Sequence, residues 1–216
     1  MTKKIQMTKQ TAKIHGIFPV PVYVAKRDSN LTSREEEEIK SILEGGMTKS
    51  VGNSSTVNSY IFNDKLENLK QFCEHHLKAY VKEVINPKEE LDFYITQSWL
   101  NITKPGEYHH GHSHANSIIS GVFYISTEED DKIFFADSNV KLKDHLMFPS
   151  KESSVWNSAG QEIPSITNEL LLFPSWLSHG VDVNKKATTD RVSISFNTFV
   201  RGTLGKRKDL TELILK

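Results

Sequence analysis

The sequence predicts a mainly β fold, an antiparallel sandwich or barrel with helices packed on one side. Three observations carry this. Two amphipathic helical stretches fall before Leu91, and from Leu91 onward short β-branched and aromatic runs separated by polar turns take over. Strands and helices do not alternate, which argues against a parallel sheet built from strand–helix–strand units.

The elements follow in order. Residues 1–15 are polar and basic at their start and read as a flexible tail. "GIFPVPVYVAKR" is rich in β-branched and aromatic residues and reads as a first strand broken by prolines. "LTSREEEEIKSILEGG" reads as a helix: Thr32 starts it, Glu35 three residues on completes a capping box, and Gly45-Gly46 stops it. "GNSSTVNSY" reads as loop. "NDKLENLKQFCEHHLKAYVKEVINP" is the strongest helical signal, with Leu66, Leu69, Cys73, Leu77, Tyr80 and Val84 at three- and four-residue steps and Asn86-Pro87 as the stop. Five strands are expected after it: "LDFYITQSWLNI", "NSIISGVFYIST", "KIFFADS", "ELLLFPSWLSHGVDV" and "RVSISFNTFVRG". "KRKDLTELILK" reads as a final helical turn or tail. The 216 residues suit a single domain, 1–216, with its β core in 91–200.

Composition narrows the function classes. With 27 basic and 27 acidic residues the chain has no net charge to attract nucleic acid. No apolar run is long enough for a membrane span, and the N-terminus lacks the apolar core of a signal peptide. The single cysteine, Cys73, excludes an intrachain disulfide and suits a reducing compartment, so a cytoplasmic protein is expected. Cys73 lies on a helix away from the histidines and reads as core, which argues against a Cys–His hydrolase. No glycine-rich loop precedes a helix, so a phosphate-binding site is not expected.

The chemistry concentrates in "HHGHSHANSIISGVFYI", where His109, His110, His112 and His114 fall within six positions. In a strand, residues two apart share a face and lie about 6.6 Å apart along the chain. His112 and His114 then project together, while His110 and His112 form a competing pair. A solvated loop after Pro105-Gly106 is the plain alternative. His179, at the end of the apolar run "LLLFPSWLSHGVDVN", offers a third imidazole. Twelve residues later, Arg191, Ser193 and Ser195 share one strand face. A guanidinium and a hydroxyl on an inward face are costly to bury without an anionic partner, and together they form a carboxylate clamp.

These segments resemble the 2-oxoglutarate and Fe(II)-dependent oxygenases. They are most similar to a group of small bacterial and phage proteins of that superfamily with a His-x-His…His pattern. The matching stretches are "SWLNI", "HSHANSIISGVFYI", "LLLFPSWLSH" and "RVSISFN", in that order across residues 98–197. The resemblance implies a double-stranded β-helix, the jelly roll shared with cupins. It implies Fe(II) on His112, His114 and His179, with Arg191 and Ser193 on the far carboxylate of 2-oxoglutarate. Asn101 and Tyr124 would be further contacts to the cosubstrate. Where most of the superfamily has a carboxylate ligand, this chain has His114. Asp137 is a second-choice carboxylate but reads better as a turn residue, and Trp99 and Trp176 read as core.

The resemblance further implies a hydroxylase acting on a small-molecule or peptide substrate, with a prolyl or other amino-acid residue leading by fold analogy. The polar stretches 45–60 and 141–165 would form lids over the barrel mouth. No nucleic acid or membrane partner is expected, and a homodimer is left open. If phage-encoded, the protein would act in the host cytoplasm. Two alternatives stand beside this reading: a three-histidine cupin-like dioxygenase that needs no keto acid, and a non-catalytic metal-binding barrel.

Overall fold

The computed structural model describes residues 15–16, 18–136, 151–152 and 154–216. Residues 1–14 of the expected N-terminal tail, Asp137, and residues 141–150 and 153 of the second lid stretch therefore fall outside the described residues. None of the described helices is long and apolar enough to cross a membrane.

After β1 (Tyr23–Lys26) comes α1 (Ser33–Glu44), which starts as its sequence dictates. Thr32 caps it, its hydroxyl accepting from the Glu35 N–H while the Glu35 carboxylate accepts from the Thr32 N–H at 2.8 Å. The same carboxylate takes a two-pronged ion pair from Arg27. Next come two short strands, β2 (Met47–Lys49) and β3 (Ser54–Thr56), so "GNSSTVNSY" is not wholly loop. They form a hairpin, and β3 adds to the edge of β4 through Ser54 opposite Ile102 and Ser55 opposite Asn101.

The long helix α2 (Glu67–Tyr80) buries Leu69, Cys73, Leu77 and Tyr80 on one stripe, as the spacing predicts. Burial pushes the Cys73 thiol far above its usual range, so this cysteine is inert core. The stripe ends early. Val81–Ile85 is a π-helical turn closed by the Asn86 N–H on the Val81 carbonyl, and the wider turn carries Val84 off the stripe, leaving it 41% exposed.

Nine further strands follow: β4 (Asp92–Thr103), β5 (His109–His112), β6 (Ile119–Ser126), β7 (Lys132–Ala136), β8 (Gly160–Pro164), β9 (Glu169–Pro174), β10 (Ser178–Val181), β11 (Arg191–Leu204) and β12 (Leu213–Leu215). The run "ELLLFPSWLSHGVDV" is thus two strands. Pro174 ends β9, and the turn Ser175–Leu177 hands the chain from one sheet to the other. The C-terminal segment holds a 3-10 turn, Arg207–Asp209, and then pairs with β11 as β12. β8 occupies the end of the second stretch expected to be a lid.

The strands form two sheets. The larger runs β1-β9-β6-β11-β4-β3-β2 with β12 on β11, and the smaller runs β5-β10-β7-β8. Facing antiparallel sheets of this order are the jelly roll, the double-stranded β-helix that the sequence predicts. Side-chain alternation divides the large sheet's residues between two cores. Phe123, Leu170, Leu172, Ile194, Phe196 and Leu100 point to α2 and the other helical elements. Val122, Tyr124, Leu171 and Phe173 point to the small sheet, where Ile133 and Phe135 meet them. Both faces are covered, which explains the unbroken apolar runs "LLLF" and "GVFYI".

Candidate active site

The cavity between the sheets is built from the residues left over by this packing. On β11, Ile194 and Phe196 face the helices, so Arg191, Ser193 and Ser195 must face inward, and all three line the cavity. On β4 the same alternation turns Trp99, Asn101 and Thr103 inward. The small sheet contributes His109, His112 and His179.

Three imidazoles converge. His112 and His179 are directly opposite one another across the antiparallel β5–β10 pair, and their ring centres are 4.5 Å apart. His114 lies beyond the end of β5, so the shared strand face predicted for it with His112 is not what unites them. A turn brings it round, held by its N–H on the Ser175 carbonyl at 2.9 Å. Its ring is 4.9 Å from that of His112 and 5.2 Å from that of His179. The small residues that follow His114 are what allow this turn. Ser117 and Ser120 both bond the fully buried Ser175 hydroxyl, tying the turn to the corner between β9 and β10.

The tautomers follow from the partners. His112 Nδ1 lies 2.8 Å from the His110 carbonyl and His179 Nδ1 lies 2.9 Å from the Leu177 carbonyl. A carbonyl only accepts, so each Nδ1 carries the proton and each Nε2 presents a lone pair. Burial, joined by the neighbouring His112 imidazole, holds His114 down to about 4, and burial above all, with His112 and His114 adding to it, holds His179 down to about 3. One ligating nitrogen from each of His112, His114 and His179 lies within 4.8 Å of the others. Three neutral imidazoles, two of them fixed by outer hydrogen bonds on Nδ1, are a donor set for a transition-metal ion.

In a second compact group, His109, His110 and His112, ligating nitrogens likewise lie within 4.8 Å of one another. His109 lines the cavity, whereas His110 is not among its lining residues and its Nδ1 lies 3.4 Å from the Val51 carbonyl. Gly180 keeps the strands close at this point: a Cβ there would sit 2.7 Å from the His109 carbonyl and 2.6 Å from the Phe134 ring.

The opposite wall carries the cation. Arg191 is 8% exposed and donates from Nη2 to Thr103 Oγ1 at 3.1 Å. Among the described residues no carboxylate pairs with it. Burial pushes its pKa down, with Tyr124 and Asp131 opposing. Ser193 sits next along the same face and pairs across the sheet with Tyr124 and Asn101. Tyr124 is buried against this wall, and burial raises its phenol. Asn101 is fully engaged, accepting from Ser55 Oγ at 2.8 Å and donating to Ser195 Oγ at 3.0 Å.

All seven residues expected from the sequence, His112, His114, His179, Arg191, Ser193, Asn101 and Tyr124, therefore line one cavity. The tryptophans depart from expectation. Trp99 is a cavity wall with its ring 5.8 Å from His114, and Trp176 is 54% exposed. Trp176 stands outward because its neighbours Ser175 and Leu177 are the corner residues whose carbonyls anchor His114 and His179. Thr103 and Asn53 were not legible as site residues. Asn53 lies in the stretch read as a lid, and no local pattern marks it.

A jelly roll with three facing imidazoles and, on the same cavity, a buried guanidinium with no carboxylate partner among the described residues is a barrel with a candidate metal site. Residues 97–197, the segment holding nearly all of this wall, match the profile of the family "Putative 2OG-Fe(II) oxygenase". Solved structures agree at the level of fold. A 2OG-Fe(II) oxygenase family protein from Burkholderia pseudomallei aligns over 82% of this chain and 83% of its own, with TM-score 0.55 and 9% identity. HygX from Streptomyces hygroscopicus, solved with nickel and 2-oxoglutarate bound, aligns over 83% and 82% with TM-score 0.54 and 14% identity. A Pseudomonas putida prolyl-4-hydroxylase aligns over 83% and 93% with TM-score 0.53 and 13% identity. No curated protein matches the chain in sequence.

Proposed function

We propose that the chain is a 2-oxoglutarate-dependent hydroxylase in which His112, His114 and His179 hold Fe(II) and Arg191 and Ser193 hold the far carboxylate of the cosubstrate. The observation that carries this is the placement, on one cavity, of three imidazoles with ligating nitrogens within 4.8 Å of one another and a buried guanidinium with no carboxylate partner among the described residues. Both groups of residues fit their ligands on chemical grounds. Three lone pairs facing one another are favourable around a cation, and a buried guanidinium with one hydrogen bond calls for an anion. When bound, Fe(II) would let 2-oxoglutarate and O2 react to succinate and CO2, with one oxygen atom inserted into a substrate C–H bond.

The protein's part is placement. Arg191, through Thr103 and Ser193, would fix the far end of the cosubstrate and so set its reach toward the histidines. Phe173, edge-on to His179 with ring centres 4.6 Å apart, and Ile133 give the cavity an apolar wall beside the histidines. Asn101 and Tyr124 complete the wall, Asn101 through its bond to Ser195.

For the substrate we infer a prolyl or other amino-acid residue of a peptide. The exposed Trp176 indole stands at the corner that anchors His114 and His179, where an apolar ring could stack as it approaches. A cytoplasmic location is supported by the lone, fully buried thiol of Cys73. Incubation with Fe(II), 2-oxoglutarate and O2 against peptides with and without proline tests the substrate. Proline peptides should gain one oxygen atom by mass spectrometry as succinate forms. Stimulation only by peptides lacking proline would remove the prolyl assignment.

The three-imidazole set favours one second reading, a dioxygenase independent of keto acids. An all-histidine site carries one more positive charge than the usual two-histidine, one-carboxylate set. That reading leaves Arg191 without a partner.

A further inference from the structure

We propose that Asn53 is a cosubstrate-binding residue, its side-chain amide donating to the far carboxylate of 2-oxoglutarate beside Arg191. The inference rests on the cosubstrate reading above and deepens it.

Asn53 is 1% exposed, and among the described residues neither its Nδ2 nor its Oδ1 has a hydrogen-bond partner. Buried polar atoms in folded proteins are nearly always paired, so an amide orphaned at both ends marks a place where something else binds. Asn53 lines the same cavity as Arg191 and the histidines. Among the described cavity-lining residues it alone has buried side-chain atoms without a partner. The neighbouring amide, Asn101, is satisfied at both ends, so the wall itself is otherwise complete.

Register places Asn53 at the guanidinium end of the cavity. Ser55 faces Asn101 and Ser54 faces Ile102, so Asn53 comes next, toward Thr103. Thr103 is the residue whose hydroxyl receives the Arg191 guanidinium. The amide is held in place. Gly52 has φ +94°, and a Cβ there would lie 2.5 Å from the Tyr108 carbonyl. The Tyr108 N–H bonds the Gly52 carbonyl, and the Ser50 N–H bonds that of Asn53 at 2.9 Å. The sequence Val51-Gly52-Asn53 is therefore a fixed tip pressed against Tyr108, the residue before β5.

The chemistry matches the ligand's far end. A carboxylate offers about four lone-pair sites, more than one guanidinium and one hydroxyl fill. An amide N–H can take another. Arg191 has five N–H donors and places one on Thr103, which leaves donors for Asn53 Oδ1 once the carboxylate draws the groups together.

Anaerobic calorimetric titration of 2-oxoglutarate into the Mn(II)-loaded protein tests this, with Mn(II) affinity measured separately to show that each variant is folded. Asn53→Ala should bind 2-oxoglutarate about tenfold to a hundredfold more weakly, the usual loss for a hydrogen bond to a charged group. Asn53→Asp should be weaker still, because it removes the donor and adds a negative charge. Mn(II) affinity should stay within about twofold of wild type. With 2-oxobutanoate, which lacks the far carboxylate, the Asn53→Ala penalty should vanish. Wild-type affinity for 2-oxoglutarate in both Asn53 variants, with Arg191→Met weakened, would overturn the role of Asn53 alone. No binding by the wild type would overturn the cosubstrate reading and this inference together.

Discussion

Replacing Arg191 by Met separates a ligand-binding role from a structural one, because the two give effects of opposite sign. In the structure the guanidinium is 8% exposed, makes one side-chain hydrogen bond, to Thr103 Oγ1, and has no acidic partner among the described residues. Burial already lowers its pKa, so its charge is a cost to the ligand-free fold. Met is of similar length and carries no charge to desolvate. Removing a buried, unpaired charge should leave the stability of the ligand-free protein equal or higher, apart from roughly 1 kcal/mol for the lost Thr103 bond. Binding should respond in the other direction. Two hydrogen bonds to a carboxylate, at about 1.5–3 kcal/mol each, make 2-oxoglutarate binding roughly two to four orders of magnitude weaker. Arg191→Lys should recover only part, since an ammonium keeps the charge without the two-pronged geometry. Thermal melts of the metal-free variants together with titration of 2-oxoglutarate into their Mn(II) forms read both quantities. A marked fall in melting temperature with unchanged 2-oxoglutarate affinity would refute the reasoning and return Arg191 to a supporting role.

His112→Ala, His114→Ala and His179→Ala should each abolish stoichiometric Fe(II) binding, whereas His109→Ala should not; an essential His109 or His110 with a dispensable His114 would move the metal to the outer histidine group. His114→Asp should retain the metal, since it creates two imidazoles and a carboxylate, and metal titration will show if the shorter side chain still reaches. The metal-free protein should lose stability as pH falls below about 6.5, the unfolded-state value of histidine. Burial holds His179 down to about 3 and His114 down to about 4, so below that pH the unfolded chain takes up protons that the native state refuses. Each histidine then contributes a slope of up to about 1.4 kcal/mol per pH unit, absent above pH 6.5 and flattened for His179→Ala; denaturant midpoints between about pH 7 and 4.5 measure it.

What the sequence made legible was local or periodic. The α1 capping box needs only Thr32 and Glu35, three residues apart, and it stands as expected. The α2 stripe and the alternation that turns Arg191, Ser193 and Ser195 inward are likewise patterns within one element. The features that escaped depend on distant partners. β2 and β3 are three-residue strands of mostly polar residues, and β3 is fixed by pairing with Ile102 and Asn101, far along the chain. The break after Pro174 exists because the chain changes sheets there, which no run of apolar residues announces. His114 reached the other imidazoles by a turn anchored on Ser175, not by strand periodicity. Trp176 resembles a core residue until that corner places its indole outside. Asn53 gains its position from Gly52 meeting Tyr108, a contact invisible along the sequence.

What sets the proposed hydroxylase apart is that its three-histidine site works with a keto acid. Addition of 2-oxoglutarate to the anaerobic Fe(II) protein tests it most directly, because chelation of Fe(II) by the keto acid would produce a weak visible metal-to-ligand charge-transfer band. The band should appear at one equivalent of 2-oxoglutarate, be absent in His179→Ala, and require far higher ligand concentration in Arg191→Met. Stoichiometric Fe(II) binding with no band and no calorimetric signal for 2-oxoglutarate would contradict the claim and leave the keto-acid-independent dioxygenase in its place.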